Sequence, residues 1–458
     1  MKLISLIVLL ISLVFFYTAP NYPSRPFMGF CTIIAIFLIV LQIKGYCTDK
    51  ELKKIYLRHS TIFLIFFFIV FFQRATDFSL GIIDQDSISV YDLIWAYVPS
   101  VVSKASALAL LALSTFLFGY HCYSPRLLKD CIYTYKFRSK YFLVTSGFGL
   151  LFVYVALTGI GDFSKHSEDE NMGFLMVAQA VLLAIVVIYS YEYKNKVNAK
   201  SIRILYFLFP LILFYLFVYF ATGNRGGAIK VCLMLLASYV YIAKDGVNYK
   251  RIFVLFIIGA FSMTLIGIIR MQETKKLNEI SSLISAKETI SPLTVELSGS
   301  VNTVHLVLAN VPIKQNYNWG TSFINGFSVL VPGLSRITHG VAEPSGETIT
   351  KMYFGENMPD WGWGFGSSCI ADVYISFGIL GIIVIFFFLG RFIHYLEYGT
   401  FVADKSPYFL ILSFCVFSQF HSLCRGSFSI LFLSWDYAVL LVFLFVQCYK
   451  KRKIIHNT

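Results

Sequence analysis

Apolar runs of roughly bilayer length dominate this chain, and short polar segments separate most of them. Such runs constrain the fold strongly, because a backbone inside lipid has to satisfy its own hydrogen bonds, and a helix does so. Hydrophobic residues make up 57% of the sequence and charged residues 14%, a balance that argues against an ordinary soluble globular protein. The sequence therefore predicts an all-α polytopic membrane protein.

We expect about twelve membrane-spanning helices, because about that many runs approach the length that a bilayer requires. The first run follows Lys2 and could be a signal peptide, but Thr18-Ala19-Pro20 is a poor cleavage site, so we interpret it as a retained helix. The predicted spans are 3–17, 27–43, 60–73, 98–120, 141–158, 172–190, 204–220, 228–243, 252–269, 370–390, 407–422 and 430–449.

The distribution of charge predicts the orientation of these spans. With the N-terminus in the cytoplasm, 24 of the 38 Lys and Arg residues face the cytoplasm, against 7 of the 25 Asp and Glu residues. Positively charged loops tend to remain on the cytoplasmic side, so both termini are predicted to lie there. The net charge of +13 follows from this topology and gives no indication of nucleic-acid binding.

One segment of about a hundred residues, 270–369, contains no apolar run of membrane length. It divides the chain into nine spans over 1–269, a large outer loop, and three spans with a basic tail over 370–458. An apolar stripe at helical spacing predicts an amphipathic helix near 296–310, lying on the membrane surface or over the bundle. Chemistry on a polar substrate needs a wet region, and this loop is large enough to supply one.

The sharpest local motif is Thr222-Gly223-Asn224-Arg225-Gly226-Gly227, predicted to be a tight outer turn between the seventh and eighth spans. Glycines let backbone amides approach a ligand closely, and the planar guanidinium of Arg225 suits bidentate contact with phosphate. The alternative is an arginine that extends its charge to the lipid headgroups. Arg270, which ends the ninth span, could complete a pyrophosphate clamp, and Arg336 in the loop is a third candidate.

Several ionisable side chains could act beside such a clamp. His339 is the candidate general base, and Glu343 is a weaker one. Asp372 lies just inside the tenth span, where a carboxylate is costly in lipid and should face the bundle interior. Arg425, in the last outer hairpin, could line the same cavity or pair with Asp436.

The tryptophans and cysteines are less specific. Trp361 and Trp363 lie in a glycine-rich stretch, where they could stack on sugar rings or belong to the aromatic belt of the outer interface. The nine cysteines show no metal-binding spacing, and Cys369 and Cys424 are the two that could form a disulfide near the outer face. The sequence predicts neither a metal nor a cofactor.

The exit of the large loop carries a resemblance to a known family. It contains Gly364-Phe365-Gly366-Ser367-Ser368, then Ala371-Asp372-Val373-Tyr374, and then Phe377-Gly378-Ile379-Leu380-Gly381. With the Arg225 turn, Arg270 and the loop itself, these motifs resemble the Wzy-type polymerases of oligosaccharide repeat units. Gly320-Thr321-Ser322, leading to Val331-Pro332-Gly333, also fits. Asp372 stands where that family more often has Glu.

The resemblance implies an inner-membrane glycosyltransferase of GT-C architecture with a periplasmic active site and cytoplasmic termini. Its donor and acceptor would be oligosaccharides linked to undecaprenyl diphosphate, so no nucleotide sugar or cofactor is implied. The implied catalytic residues are His339, Arg225 and Arg270. The implied substrate-binding residues are Arg336, Glu343, Asp372, Tyr374, Trp361, Trp363 and Arg425.

Two other functions remain open from the sequence. A related ligase would use the same donor to transfer finished glycan onto a different acceptor. A flippase for lipid-linked units would be expected to show two related halves, which this chain lacks. The resemblance also leaves open whether a chain-length regulator binds besides the membrane lipids.

Overall fold

The structure is a computed structural model. It describes residues 1–44, 52, 55–83, 98–123, 133–137, 140–158, 172–194, 202–221, 225–243, 247–248, 250, 252, 254, 294–324, 345–355, 366–403, 407–428 and 448–452. Within these ranges the chain is helical apart from one two-stranded sheet. The elements, in chain order, are α1 (Lys2–Thr18), α2 (Arg25–Ile43), α3 (His59–Ser79), a 3-10 turn (Pro99–Val101), α4 (Val102–Cys122), β1 (Tyr133–Phe137), α5 (Lys140–Thr158), α6 (Met172–Lys194), α7 (Ile202–Ala221), α8 (Arg225–Ala243), α9 (Val295–Ser298), α10 (Val301–Asn310), α11 (Ser345–Phe354), α12 (Cys369–Phe401), α13 (Pro407–Arg425) and β2 (Cys448–Arg452).

The helices confirm a polytopic membrane protein. Among the described residues, six helical segments are long and apolar enough to cross a membrane, and four shorter apolar helices accompany them. These helices coincide with the predicted spans, except that the ninth span (252–269) and the last (430–449) lie largely outside the described residues. The total of about twelve spans therefore stays a prediction.

Several boundaries differ from the prediction. α3 continues to Ser79 rather than ending at residue 73, and α12 continues to Phe401 rather than 390, so each is longer than its apolar run. The last span cannot reach residue 449, because Cys448 already belongs to β2. That strand pairs antiparallel with β1, which places two segments predicted to be cytoplasmic side by side.

The predicted amphipathic helix exists, but it is divided into α9 and α10. Nearly every residue of α10 is buried, on all sides of the helix. It packs against α11, α4 and the 3-10 turn. Of the two predicted placements, the structure therefore favours packing over the bundle rather than on the membrane surface.

The chain divides into two compact units. The first comprises residues 1–124, 278–397 and 420–433, and it contains the helical part of the large loop. The second comprises residues 125–277, 398–419 and 434–458. In the second unit α6 packs against α5 and α8, and α7 against α5 and α8. A hydrogen bond between the hydroxyls of Ser190 and Ser238, 2.6 Å, joins α6 to α8.

In the first unit, α1 and α4 run antiparallel in the most extensive helix pair. The hydroxyls of Ser12 and Ser114 lie 3.3 Å apart across it. Lys104, near the start of α4, lies over the ring of Phe16 near the end of α1.

α4 crosses α12 with the two backbones in contact. A Cβ placed at Gly119 would lie 2.0 Å from the carbonyl oxygen of Phe387, and one at Gly390 would lie 2.0 Å from that of Phe116. No side chain fits in either place, so the crossing depends on both glycines.

Beyond that crossing, the helix ends meet in a buried polar network. Arg58 Nε, at the start of α3, lies 3.8 Å from Glu397 Oε2 on α12, and both side chains are almost fully buried. The same carboxylate accepts hydrogen bonds from the Ser60 backbone N–H and the Tyr120 hydroxyl. Arg58 also donates to the Gln42 carbonyl oxygen, at the end of α2. This end of the unit is the network end.

The opposite end is the loop end, where the large loop packs. The Thr294 hydroxyl donates to Gln73 on α3 over 2.6 Å, and α9 lies against the same helix. Ser103, near the start of α4, accepts from the backbone N–H of Ser24 just before α2. The helix ends that were predicted to lie outside are thus at the loop end of the first unit. This arrangement supports the predicted alternation of spans across the membrane.

Substitution of Gly390 tests the crossing of α4 and α12. We expect Gly390→Ala to lower the thermal midpoint of the detergent-solubilised protein, because its methyl group would have to separate two backbones, an overpacking cost of about 1–3 kcal/mol. Gly149→Ala on α5 is the control, since its Cβ would meet open space. Equal midpoints for the two variants would contradict the close crossing.

Substitution of Glu397 tests the network end. Glu397→Gln removes the negative charge beside the buried Arg58, and breaking a buried pair from one side costs about 3–5 kcal/mol. Glu347→Gln is the matched control, because its ion pair with Lys351 is more than two-fifths exposed and such pairs contribute about 0–1 kcal/mol. The thermal midpoint should fall clearly for the first variant and hardly at all for the second.

Candidate functional site

The first turn of α12 begins at the loop end with a hydroxyl cap. The Ser368 side chain accepts the backbone N–H of Ala371 at 3.3 Å, which stabilises the start of the helix. Asp372 follows in the same turn, where a negative charge complements the helix dipole. Its side chain is fully buried, as the sequence predicted for a residue facing the bundle interior.

The two oxygens of the Asp372 carboxylate have different surroundings. Oδ2 accepts the backbone N–H of Phe428 at 2.9 Å, which joins α12 to the segment after α13. Oδ1 is buried and has no hydrogen-bond partner among the described residues. The hydroxyls of Ser322 and Ser345 lie near the carboxylate, but neither makes a well-formed hydrogen bond to Oδ1. A buried carboxylate oxygen without a donor is costly and marks a candidate ligand position.

Buried hydroxyl groups from three parts of the large loop gather around this turn. Their partners lie on α12 or just before it. The pairs are Thr303 with Ser368 at 2.9 Å, Ser345 with Ser367 at 3.0 Å, and Ser322 with Ser376 at 3.4 Å. Together with Asp372 they form a hydroxyl-lined site, a set of groups that can both donate to and accept from a sugar.

Tyr374 lies beside this site in an aromatic group. Its ring centroid is 6.4 Å from those of Tyr317 and Phe16, and the side chain is buried. Trp319 meets Tyr317 edge-on at 6.2 Å. Tyr374 is therefore close to the site, although the structure gives it no direct bond to Asp372.

His305 on α10 is fully buried, and burial lowers its pKa to about 3. The imidazole is therefore neutral at physiological pH, which suits a structural role in the packing of α10.

A polar group at the end of α3 was not predicted from the sequence. Gln73, Arg74 and Asp77 are all buried in the last two turns of the helix. The predicted span ended at Gln73, which left Arg74 and Asp77 in the following outer loop. Arg74 and Asp77 are three residues apart and therefore lie on one face of a helix. This spacing is the sequence signal that could have predicted a helix continuing beyond residue 73. Buried charge at this depth usually has a partner or a function.

The predicted turn around Arg225 is partly wrong. Arg225 is the first residue of α8, and Gly226 and Gly227 continue the helix, so the motif contains a helix start. A basic residue is unfavourable next to the positive end of a helix dipole, whereas an anion is favourable there.

The remaining predicted residues are only partly located. Arg425 is the last residue of α13 and is half-buried. Cys369 and Cys424, the two cysteines that could form a disulfide, are free thiols that lie next to each other. Among the residues that the structure describes, no cluster of three or more His, Cys, Asp or Glu side chains could hold a metal ion. The predicted residues outside the described ranges are Arg270, Arg336, His339, Glu343, Trp361 and Trp363.

Comparison with known families decides the identity of this helical bundle. The chain matches the family model of the O-antigen polysaccharide polymerase Wzy over residues 1–453. The chain belongs to this family. It is therefore a membrane enzyme that polymerises O-antigen polysaccharide, as the loop-exit motifs indicated, rather than a ligase or a flippase. The search of curated proteins and the search of solved structures found no match.

The bond between Asp372 and Phe428 can be tested in this polymerase. Asp372→Ala leaves the buried Phe428 N–H without its acceptor, which should cost about 1–3 kcal/mol and lower the thermal midpoint. Asp372→Asn retains an acceptor oxygen, so its midpoint should stay close to that of the wild type. If the Asn variant were as unstable as the Ala variant, the backbone hydrogen bond would not be the contact that matters.

Proposed function

We propose that the enzyme extends undecaprenyl-diphosphate-linked repeat units on the periplasmic face of the inner membrane. A hydroxyl on the terminal sugar of a new unit attacks the anomeric carbon of the growing chain. The bond between that carbon and the diphosphate breaks, undecaprenyl diphosphate leaves, and a base takes the hydroxyl proton. No nucleotide sugar takes part, and the fold would be of the GT-C type.

The observation that carries the proposal is the buried Asp372 carboxylate within the hydroxyl-lined site. Membership of the polymerase family supplies a substrate rich in hydroxyl groups. Oδ1 has no hydrogen-bond partner among the described residues, and the loop hydroxyls of Ser322 and Ser345 lie near the carboxylate. Ser376 of α12 pairs with Ser322. Asp372 would accept a sugar hydroxyl, and Tyr374 would supply an aromatic edge to the same pocket.

The diphosphate would be held by arginines. Arg225 carries a guanidinium and begins α8, and both a guanidinium and the positive end of a helix dipole favour a phosphate anion. In the proposal Arg270 and Arg336 add positive charge. Such groups stabilise the charge that develops on the leaving diphosphate without a metal ion.

The remaining roles fall to residues outside the described ranges or beside the site. His339 would be the general base, with Glu343 as the second candidate. Trp361 and Trp363 would stack on sugar rings, and Arg425 would contact the anionic part of the substrate. The orientation, with cytoplasmic termini, rests on the distribution of Lys and Arg. A polysaccharide chain-length regulator is a further partner in the proposal.

Two arginine variants test the proposed clamp in cells that lack their own polymerase. Arg225→Ala and Arg270→Ala should each reduce polymer strongly, because removing one donor to a developing anion typically costs about a hundredfold or more in rate. Lipid-linked single repeat units should accumulate instead of the ladder of polymer lengths. Immunoblots of the membrane fraction would establish equal abundance of each variant.

Arg391→Ala is the matched control for these variants. Arg391 is an exposed arginine on α12, over the ring of Phe387 and towards the network end. Its loss should leave the ladder unchanged. The clamp is wrong if Arg225→Ala and Arg270→Ala also give wild-type polymer length and amount at normal expression.

A further inference from the structure

Residues 311–324, here the hook, carry unusual surface side chains for a loop predicted to be wet. Ile313, Trp319 and Ile324 are 79%, 75% and 50% exposed. Most other large apolar residues in the described part of the loop are buried. Three large exposed apolar groups within twelve residues form a patch of the kind that marks an interaction surface for an apolar partner.

The contacts between the hook and α12 show how far along that helix the hook lies. The Asn318 backbone N–H donates to the carbonyl oxygen of Ile375 at 3.0 Å, and Tyr317 lies against Gly378. These residues follow Cys369, the start of α12, by six and nine positions. At 1.5 Å per residue the hook therefore lies roughly 9–14 Å along the helix from its start. Ile375 and Gly378 both lie within the predicted span 370–390, and α12 is long and apolar enough to cross a membrane.

Glycines in both the hook and α12 allow the two segments to pack closely. Gly378 has φ 63° and ψ −149°, which interrupts the helix with a conformation that favours glycine. A Cβ at Gly378 would lie 2.9 Å from the Tyr317 hydroxyl, and one at Gly320 would lie 2.7 Å from the Phe377 ring. The Ile375 carbonyl, in the interrupted turn, accepts its hydrogen bond from the hook. The hook is thus held at this depth by backbone as well as side-chain contacts.

The hook also continues the lipid-facing surface of α12. Phe377, Leu380, Val384 and Phe388 are exposed at spacings of three or four, which defines one apolar face of the helix. Phe323 of the hook packs on Phe377 at 5.7 Å, at the upper end of that face. An exposed Lys314 lies next to Ile313, and a cation with a tryptophan is typical of the membrane interface.

We propose that the hook inserts into the outer part of the bilayer beside α12, with Trp319 in lipid rather than in water. The partner of this surface is phospholipid, which covers Ile313, Trp319 and Ile324. Ser322 lies in the same segment and faces Ser376, so the hook places one wall of the hydroxyl-lined site at the membrane interface. The proposal depends on the packing of the loop and not on the catalytic roles assigned above.

Depth-dependent fluorescence quenching tests the proposal in nanodiscs. The emission of Trp319 is obtained by subtracting the fluorescence of the Trp319→Phe variant from that of the wild type. This variant should keep normal polymer formation. In nanodiscs of brominated phosphatidylcholine this difference should fall about twofold, as expected for a tryptophan at the lipid interface. Bromines near the carboxyl end of the acyl chain should quench it more than bromines near the methyl end. Aqueous acrylamide should quench it weakly.

A second tryptophan in the same loop serves as the control. Lys351→Trp in the Trp319→Phe background replaces an exposed residue of α11, at which the structure shows an ion pair with Glu347. Its emission should respond to acrylamide and not to brominated lipid. The proposal is overturned if Trp319 behaves like this control, or if no position of bromine quenches it.

Discussion

Inside a bilayer, a backbone carbonyl that loses its helical partner needs another donor, because water is absent. Gly378 creates this situation in α12 by leaving the helical conformation in the middle of an apolar run. The Asn318 N–H supplies a donor to the interrupted turn, at the Ile375 carbonyl. The position of the large loop, and with it the candidate site, depends on this contact between a broken helix and a segment about sixty residues earlier in the chain.

The two ends of the first unit differ in how fully their buried polar groups are hydrogen-bonded. At the network end, Glu397 is enclosed by Arg58, Tyr120 and the Ser60 backbone, and Gly119 and Gly390 bring α4 and α12 into backbone contact. Satisfied groups and close packing favour rigidity there. At the loop end, Asp372 retains an acceptor position that no described group uses. On the proposed function, the rigid end holds α12 so that its first turn can present this carboxylate to a sugar.

Hydropathy predicted the spans because the bilayer imposes a length and a composition that a single sequence displays directly. It ended α3 at residue 73 because Gln73, Arg74 and Asp77 are polar. In the fold, the distant loop residue Thr294 donates to Gln73, a contact that hydropathy does not reveal. The burial of Asp372 could be predicted from its position in a span. The approach of Ser322 and Ser345 could not, because it depends on long-range packing. Arg225 was recognised by its flanking glycines, but periodicity did not reveal that α8 begins there.

In the proposed function, this chain by itself polymerises lipid-linked repeat units, with its own side chains and without a nucleotide sugar or metal ion. The most direct measurement is reconstitution of the purified protein in liposomes with undecaprenyl-diphosphate-linked repeat units and a metal chelator. We expect a ladder of products that grows by one repeat unit at a time, with release of one undecaprenyl diphosphate for each linkage. A lack of products longer than a single unit, or a ladder that requires an added nucleotide sugar or divalent metal, would contradict the proposed function.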